Sequence, residues 1–335
     1  MFNGKAVKYD GDFAQSYDCG SVNVWYNTSM LTDIINAPLD DLLNETDKVR
    51  SVEFGNEIDF CAIVNIKSGR CPMDCQFCAQ SQHHNTTVET YSLVSAEDLI
   101  AETRKLWNQG IRRIGWVSSG RSPTTEEIDS IIESATPLLA AKGANQLCCA
   151  SLGQLGTPAL QRLKEAGFCR YHHNLETSER FYPSICTTQR WRDRRDTVER
   201  VKELGWAVCS GGVFGLGETW EDRLQLALTL KELDVDSVPI NFLNPISGTP
   251  LADRALLSPE EALRIVALFR STLPKATIRI CGGRPAVFAR REQDELLFRA
   301  GANALMTGNY MTTSGISPEK DREMIERGGF TEPIA

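Results

Sequence analysis

The sequence predicts an α/β protein built on one (β/α)8 barrel of the TIM type, in a single domain with a helical N-terminal extension. Three observations support this prediction. From residue 60 onward, short β-rich runs alternate with amphipathic helical runs, the β-rich runs number eight, and no low-complexity linker divides them. Eight strands with helices between them form a closed barrel. A doubly wound open sheet has the same alternation and is the alternative.

The predicted strands are short runs bounded by turn residues, as expected for buried parallel strands. In chain order they are Cys61–Lys67, Arg113–Ser118, Gln146–Leu152, Tyr171–Leu175, Ala207–Phe214, Ser237–Leu243, Thr277–Cys281 and Ala304–Thr307.

The predicted helices have apolar residues at three- and four-residue spacing. Ser95 and Ser258 have the pattern of N-caps, and Gly110, Gly167 and Gly205 follow the last turn of three helices. In chain order the helices are Ala96–Gln109, Thr125–Lys142, Pro158–Ala166, Arg192–Leu204, Glu221–Leu233, Pro259–Thr272 and Glu292–Arg299.

The first part of the chain stands outside this repeat. We therefore expect residues 1–50 to form the extension, with one or two helices within Asp33–Val49, and residues 51–335 to form the barrel.

Bulk composition excludes several classes of protein. The net charge of −8 argues against a nucleic-acid surface. No apolar run approaches the roughly 20 residues of a membrane span, and no signal peptide is evident, so we expect a cytoplasmic protein. In that setting the 11 cysteines are expected to be metal ligands and buried thiols rather than disulfides.

The most informative motif is Cys71-Pro-Met-Asp-Cys75-Gln-Phe-Cys78, with the spacing CxxxCxxC. Three thiolates hold three irons of a [4Fe–4S] cube and leave the fourth iron open, whereas an electron carrier uses four cysteines. This arrangement resembles that of the radical S-adenosylmethionine (SAM) enzymes, in which the open iron binds the amino acid end of SAM. Phe77 has the position of a residue that packs beside adenine.

The alternative for this motif is a zinc knuckle with His83 or His84 as the fourth ligand. The motif directly follows the first predicted strand, and barrel enzymes place their chemistry in such loops. A structural zinc site has no reason to prefer that position, so the cluster is favoured.

Other predicted strand ends suit SAM. Ser119 ends the second strand among small residues that let backbone groups approach a ligand. Asn174 and Glu176 share a face after the fourth strand, where a carboxylate accepts ribose hydroxyls. Gly215 belongs to a glycine-rich turn that is a candidate for contact with adenine. Arg194 is a candidate partner for the SAM carboxylate, with a solvated surface charge as the alternative.

A second group of cysteines lies inside the odd-numbered predicted strands, which contribute to one layer of a barrel interior. It comprises Cys61, one of Cys148–Cys149, Cys209 and Cys281, with Arg279 on the same face as Cys281. Four thiolates in one layer predict a second Fe–S cluster, whereas small buried hydrophobes are the alternative.

Three remaining cysteines fit no such layer and are expected to be structural: Cys19, Cys169 and Cys186.

With these residues in view, roughly residues 50–330 resemble the biotin synthase family, including its C-terminal part. The resemblance rests on these segments: Ile66–Ser81, His173–Ser178, Val208–Gly212, Gly215–Thr219, Ser237–Asn241, Gly248–Leu251 and Ala300–Asn303.

The resemblance implies an enzyme that cleaves SAM reductively, abstracts hydrogen from two carbons of dethiobiotin, and inserts sulfur from an auxiliary cluster to form biotin. It implies that Asn174 and Glu176 bind the SAM ribose, Arg194 the SAM carboxylate and Asn241 the ureido ring of dethiobiotin. It also implies a flavodoxin or ferredoxin as reductant, and a homodimer.

Two departures from the better-known form of the family matter. That form holds a [2Fe–2S] auxiliary cluster with three cysteines and one arginine, of which Cys149, Cys209 and Arg279 match three, while Gly115 replaces the remaining cysteine. In compensation the chain has Cys61 and Cys281, which that form lacks. In this respect the sequence is closer to the variant of the family found in anaerobes. We therefore expect a four-iron auxiliary cluster on Cys61, Cys149, Cys209 and Cys281, with Arg279 as a ligand or neighbour.

The second departure is His172, which replaces the asparagine that the family more often has near dethiobiotin. Two alternatives to sulfur insertion remain at this point. One is a radical SAM relative such as a hydrogenase-cofactor maturase or a carbon-skeleton mutase. The other is a non-catalytic Fe–S carrier.

Overall fold

Parallel strands close into a barrel in the computed structural model of the chain, which describes residues 24–289, 293–310, 312 and 315–333. The strands are β1 (Asp59–Lys67), β2 (Arg113–Ser118), β3 (Leu147–Ser151), β4 (Arg170–His172), β5 (Ala207–Cys209), β6 (Gly212–Phe214), β7 (Ser237–Phe242), β8 (Thr277–Ile280) and β9 (Ala304–Met306).

Neighbouring strands pair in order around the barrel, and β9 pairs with β1 to close it. Both β5 and β6 pair with β7, so the two short strands together occupy one of eight positions. The predicted (β/α)8 barrel is therefore confirmed, and the open sheet is wrong.

Helices surround the barrel. They are α1 (Val24–Asn36), α2 (Leu39–Phe54), α3 (Ala96–Asn108), α4 (Thr125–Ala140), α5 (Thr157–Glu165), α6 (Trp191–Glu203), α7 (Trp220–Glu232), α8 (Pro259–Thr272), α9 (Arg284–Val287), α10 (Leu296–Arg299) and α11 (Pro318–Arg327).

Most predicted bounds of the barrel elements agree with these to within two residues, and three elements differ. The strand predicted over residues 171–175 is shorter and ends at His172. The predicted strand over residues 207–214 is broken between β5 and β6 at residues 210 and 211. Gly211 there lies so close to β7 that a Cβ would be 2.1 Å from the carbonyl oxygen of Pro239. The predicted helix over residues 292–299 is reduced to α10, and its first residue lies outside the described part of the chain.

The N-terminal helices pack on the outside of the barrel. Leu31 and Ile34 of α1 and Leu42 of α2 form a small apolar cluster with Leu224 of α7 and Leu268 of α8. Within the described residues, no helix is both long and apolar enough to cross a membrane.

Side chains alternate along each strand between the outer helices and the barrel interior. In β1, Phe60 and Val64 are buried in the apolar core, whereas Cys61 and Ile63 line a central cavity. The two-residue period therefore decides which side chains reach the site.

The N-cap of α8 gives a stability prediction. The Ser258 Oγ accepts a hydrogen bond from the backbone N–H of Glu261 at 3.1 Å, as the sequence pattern predicted. Ser258→Ala is expected to lower the free energy of unfolding of the cluster-free chain by about 1 kcal/mol, measured by urea titration with circular dichroism. Ser258→Asp keeps an acceptor and should stay within about 0.5 kcal/mol of the parent. An equal loss in both variants would contradict the capping role.

Candidate active site

The interior of the barrel holds a cavity of about 440 Å³ that opens at the carboxyl ends of the strands. Fifteen of the sixteen predicted site residues line it, although they come from segments that span more than 200 positions of the chain. They are Cys61, Cys71, Cys75, Phe77, Cys78, Ser119, Cys149, His172, Asn174, Glu176, Arg194, Cys209, Asn241, Arg279 and Cys281.

The three-cysteine loop follows β1 and is fixed by its own backbone. Cys71 donates its N–H to the carbonyl of Gln80 at 2.9 Å, and Cys78 donates to the carbonyl of Cys75 at 2.9 Å. The side chain of Ser119 bonds the carbonyl of Gly69 at 2.9 Å and ties the loop to the end of β2. All three thiols consequently face the same cavity.

A carboxylate anchors the loop on its other side. Asp74 accepts hydrogen bonds from the backbone N–H groups of Thr187 at 2.9 Å and Thr188 at 3.1 Å. Burial acts to raise the pKa of Asp74, but these bonds and those of the two hydroxyls hold it well below the ordinary value. The loop is therefore held firmly before any metal binds.

The histidines of the zinc alternative are engaged elsewhere. The Nε2 atom of His83 lies 3.1 Å from the carbonyl oxygen of Pro72, and that of His84 lies 3.0 Å from the carbonyl oxygen of Cys75. In the described ranges, no three His, Cys, Asp or Glu side chains surround a single point as a zinc site requires. Cluster cysteines bind separate irons and therefore need not converge on one point, as zinc ligands must.

Polar groups that could bind SAM lie beside this loop. The backbone of Glu176 is left-handed, with φ of 71°. Two hydrogen bonds hold this conformation: the N–H of Glu176 donates to the carbonyl of Gly211, and its carbonyl accepts from the N–H of Val213. A Cβ on Gly212 would lie 2.2 Å from the carbonyl oxygen of Glu176, so only glycine permits this approach. The turn directs the Glu176 carboxylate into the cavity.

Arg194 connects α6 to this turn. Its Nη1 donates to the carbonyl of Asn174 at 2.9 Å and lies 3.3 Å from Glu176 Oε1, while Nε donates to the Tyr182 hydroxyl at 2.8 Å. Burial, the largest single influence, lowers the pKa of Arg194, but Glu176, Tyr182 and Cys75 together outweigh it and raise the pKa above its ordinary value. The solvated-charge alternative does not describe this side chain.

Gly215 is the predicted residue that the structure does not bring to the cavity. Its N–H donates to Glu218 Oε1 at 3.0 Å, and the same carboxylate accepts from Leu216 and Gly217. The turn thus closes on its own side chain and offers no free donor to a ligand. Val213 lines the cavity at this strand end instead.

The second group of thiols lies deeper in the barrel. Cys149 lines the cavity, whereas Cys148 is buried in the outer apolar core, which decides between these adjacent residues. Burial raises the pKa of Cys61 to about 11 and also raises that of Cys281. Burial is also the largest influence on the pKa of Cys209 and raises it, but His172, Arg170 and Arg279 together outweigh burial and lower that pKa to about 7.

Gly115 stands in this layer where the better-known form has a cysteine. A Cβ at this position would lie 3.5 Å from Ile63 Cγ2, which is ordinary contact. The layer therefore has room for a side chain at Gly115, and its lack of a thiol there is a matter of ligand chemistry rather than space.

Three charged side chains below the thiols, Asp59, Arg113 and Arg170, were missed in the sequence, whereas Arg279 beside them was predicted. Arg113, Arg170 and Arg279 line the cavity, and Asp59 forms ion pairs with Arg279 and, at 3.5 Å, with Arg113. The Nε atoms of Arg113 and Arg170 are buried without a hydrogen-bond partner. Three guanidinium groups against one carboxylate make this end of the cavity positive.

A signal for these residues was present in the strand period. Each stands two positions before a cavity-lining residue, as in Asp59 before Cys61, Arg113 before Gly115, and Arg170 before His172. Extending the inward face of each strand by one step would have found them.

Of the cysteines expected to be structural, Cys19 lies outside the described residues. Cys186 is buried beside Cys75, and the Sγ of Cys169 lies 3.7 Å from that of Cys149. Both therefore neighbour a thiol that lines the cavity.

The side-chain amide of Asn241 lines the cavity, and half of its hydrogen-bonding capacity is taken up by the protein. Its Nδ2 donates to the carbonyl of Gly212 at 3.1 Å, and its Oδ1 accepts from the N–H of Gly282 at 3.0 Å. One N–H and one lone pair remain for a ligand that has both a donor and an acceptor.

Comparison with protein families gives two matches. Residues 65–230 match the Radical SAM superfamily, and residues 239–331 match the Biotin and Thiamin Synthesis associated domain.

Two curated relatives cover most of the chain. A biotin synthase of Desulfovibrio desulfuricans is 47% identical over 304 residues, which cover 91% of this chain and 95% of that protein. A biotin synthase of Pelotomaculum thermopropionicum is 48% identical over 271 residues, which cover 81% and 83%.

Solved structures share the fold at low identity. Methylornithine synthase has a TM-score of 0.78 at 20% identity, covering 92% of this chain and 94% of that one. The FeFe-hydrogenase maturase of Carboxydothermus hydrogenoformans has a TM-score of 0.77 at 19% identity, covering 90% and 74%. These likenesses support the barrel alone.

Proposed function

Because the chain belongs to the biotin synthase family of radical SAM enzymes, we propose that its cavity holds SAM against one cluster and dethiobiotin between SAM and a second cluster. The observation that carries this proposal is that two sets of thiols, from the loop after β1 and from the barrel layer, line one cavity.

The enzyme forms biotin from dethiobiotin, with SAM and an external reductant. When bound, the [4Fe–4S] cluster would supply the electron for reductive cleavage of SAM, and the auxiliary cluster would supply the sulfur. The protein contributes binding, orientation and exclusion of water. The low identity to maturase and mutase structures gives those alternatives no support beyond the fold.

The residues proposed to bind SAM form one hydrogen-bonded set. Cys71, Cys75 and Cys78 bind three irons, which leaves the fourth iron free for the amino acid end of SAM. Arg194 faces the SAM carboxylate, because its second Nη group makes no protein hydrogen bond among the described residues.

The Glu176 carboxylate is proposed to accept hydrogen bonds from the ribose hydroxyls, and the Asn174 amide is proposed to donate to them. Their side chains are 3.3 Å apart and face the same cavity. Phe77 and Ser119 bound the site on the other side. Gly215 is not part of this proposal, since its N–H is already bonded to Glu218.

The auxiliary cluster is proposed to be a four-iron cluster on Cys61, Cys149, Cys209 and Cys281. A cluster held by four thiolates carries net negative charge, which fits the positive end of the cavity and the buried Nε of Arg170, which has no hydrogen-bond partner among the described residues. Arg279 is proposed as a neighbour rather than a ligand, because its guanidinium bonds Asp59 and, at 3.0 Å, the carbonyl of Leu305.

Dethiobiotin is proposed to bind between the two sets of thiols. The free N–H and lone pair of Asn241 suit the ureido ring, which has an N–H and a carbonyl. His172 is proposed to act indirectly, since its hydrogen bond to Cys209 orients an auxiliary ligand.

Finer assignments rest on the family resemblance. We propose a flavodoxin or ferredoxin as the reductant, a homodimer, and a cytoplasmic location, in which thiolate ligands stay reduced. We also propose that residues 1–50 form an extension and residues 51–335 the catalytic barrel, consistent with α1 and most of α2 preceding this boundary.

The test is anaerobic reconstitution with iron and sulfide, a count of both per chain, and an assay for biotin with dethiobiotin, SAM and a reductant. About eight irons with biotin are expected. About six irons with biotin would keep the function and contradict the four-iron auxiliary cluster. About four irons, with SAM cleaved and no biotin, would contradict sulfur insertion.

A further inference from the structure

One thiol outside the proposed ligand sets lies against a proposed auxiliary ligand. The Sγ of Cys169 is 3.7 Å from the Sγ of Cys149, and both contact Nη1 of Arg113, at 3.4 and 3.8 Å. Cys149 is fully inside the barrel, whereas Cys169 is only half-buried and does not line the cavity. The pair therefore joins a thiol that lines the cavity to one in a residue that is only partly buried.

The backbone places this pair within the range of a disulfide. Cys149 on β3 is in register with Arg170 on β4, and Cys169 directly precedes Arg170. Neighbouring strands lie about 4.8 Å apart, and disulfides join Cα atoms roughly 4.4 to 6.8 Å apart. Closing the bond needs the sulfurs to approach from 3.7 Å to about 2.05 Å, which side-chain rotation supplies.

We propose that Cys149 and Cys169 form a reversible disulfide in the cluster-free chain, and that this disulfide and the auxiliary cluster exclude one another. The first part rests on geometry alone, and the exclusion rests on the proposed role of Cys149 as a ligand. A sulfur bonded to Cys169 has no thiolate to give to iron, so the bond blocks the site, and a dithiol reductant restores it.

The reaction is balanced by an added oxidant. Each thiol loses one proton and one electron as the S–S bond forms, and diamide takes up both pairs and becomes a hydrazine. Reduction by a dithiol returns two electrons and two protons to the pair, with oxidation of the dithiol.

The experiment compares three proteins under anaerobic conditions: the parent chain, Cys169→Ser, and Cys148→Ser. Cys148 is the matched control, because it adjoins Cys149 in β3 but is buried on the opposite face. Each is treated with diamide in the cluster-free and the reconstituted state, and linked peptides are mapped by mass spectrometry without reduction. The iron content is measured before and after treatment.

In the cluster-free state, a Cys149–Cys169 peptide is expected in the parent and in Cys148→Ser and is expected to be absent from Cys169→Ser. At retained iron content, the linked fraction should fall at least tenfold in the reconstituted parent. No such peptide in the cluster-free parent, or only a link between other cysteines such as Cys75 and Cys186, would overturn the inference.

Failure of the proposed ligand set gives a different result. If Cys149 does not bind the auxiliary cluster, the linked peptide will form equally in both states, which would overturn the exclusion. Biotin formation by reconstituted Cys169→Ser, measured without oxidant, tests the enzyme activity separately from the disulfide.

Discussion

Replacing Cys281 by alanine is expected to reduce iron from about eight to about four per chain and to abolish biotin formation, while reductive cleavage of SAM continues. Cys281 lies in the barrel layer next to Arg279, away from the loop that carries Cys71, Cys75 and Cys78. Losing one of four ligands exposes an iron of the auxiliary cluster and removes the source of sulfur. The measurements are iron and sulfide per chain, 5′-deoxyadenosine and biotin.

Cys148→Ala is the control for this prediction. Its thiol is also buried in a strand, but it faces the outer core rather than the cavity. We expect it to keep about eight irons and to form biotin, with some loss of stability from the cavity left behind. If Cys281→Ala also kept eight irons and formed biotin, the four-cysteine ligand set would be wrong.

The second large effect is expected from Arg194→Lys, which should weaken SAM binding about ten- to hundredfold. A lysine keeps the charge but lacks the planar fork that bonds Tyr182 and Asn174 on one side and a carboxylate on the other. The measurement is the dissociation constant of SAM by anaerobic equilibrium dialysis of the reconstituted protein.

Arg192→Lys is the matched control, because Arg192 lies in the same helix but its side chain is largely exposed. Its ion pair with Glu179 is long, at 3.7 Å. It should bind SAM as the parent does. Thermal unfolding of both variants separates a loss of SAM contact from a loss of local structure. Unchanged SAM affinity in Arg194→Lys, with lowered stability alone, would show that Arg194 supports the fold and does not bind SAM.

Much of the fold was predictable because its signals are local. The cap at Ser258 and the ends of α3, α5 and α6 at glycines depend on residues a few positions apart. The need for glycine at position 211, in the break of the fifth barrel strand, was not predictable, because it depends on the close approach of the Pro239 carbonyl in a neighbouring strand.

The candidate site divides in the same way. Spacing alone singled out Cys71, Cys75 and Cys78, since all three lie in one loop and need no long-range contact to be recognised. Gly215 was placed at the cavity on its glycine-rich turn, but the nearby Glu218 carboxylate closes that turn on itself. The sequence contained both residues, yet their hydrogen bond depends on the backbone of the turn.

By itself, the sequence determined the βα repeat, the barrel it closes into, and the three-cysteine loop after its first strand. These features follow from periodicity and spacing, which are properties of neighbouring residues. Only the tertiary structure decided that Cys149 rather than Cys148 faces the cavity and that Cys169 lies beside it.

The tertiary structure likewise decided that Arg113, Arg170 and Arg279 gather below the thiols with a single carboxylate, Asp59. The physical reason is strand register: barrel closure joins residues that are far apart in the chain, as in the bond from Arg279 to Asp59, 220 positions away. Which side chains share a layer depends on how far each strand is shifted against its neighbours, and no local pattern encodes that shift.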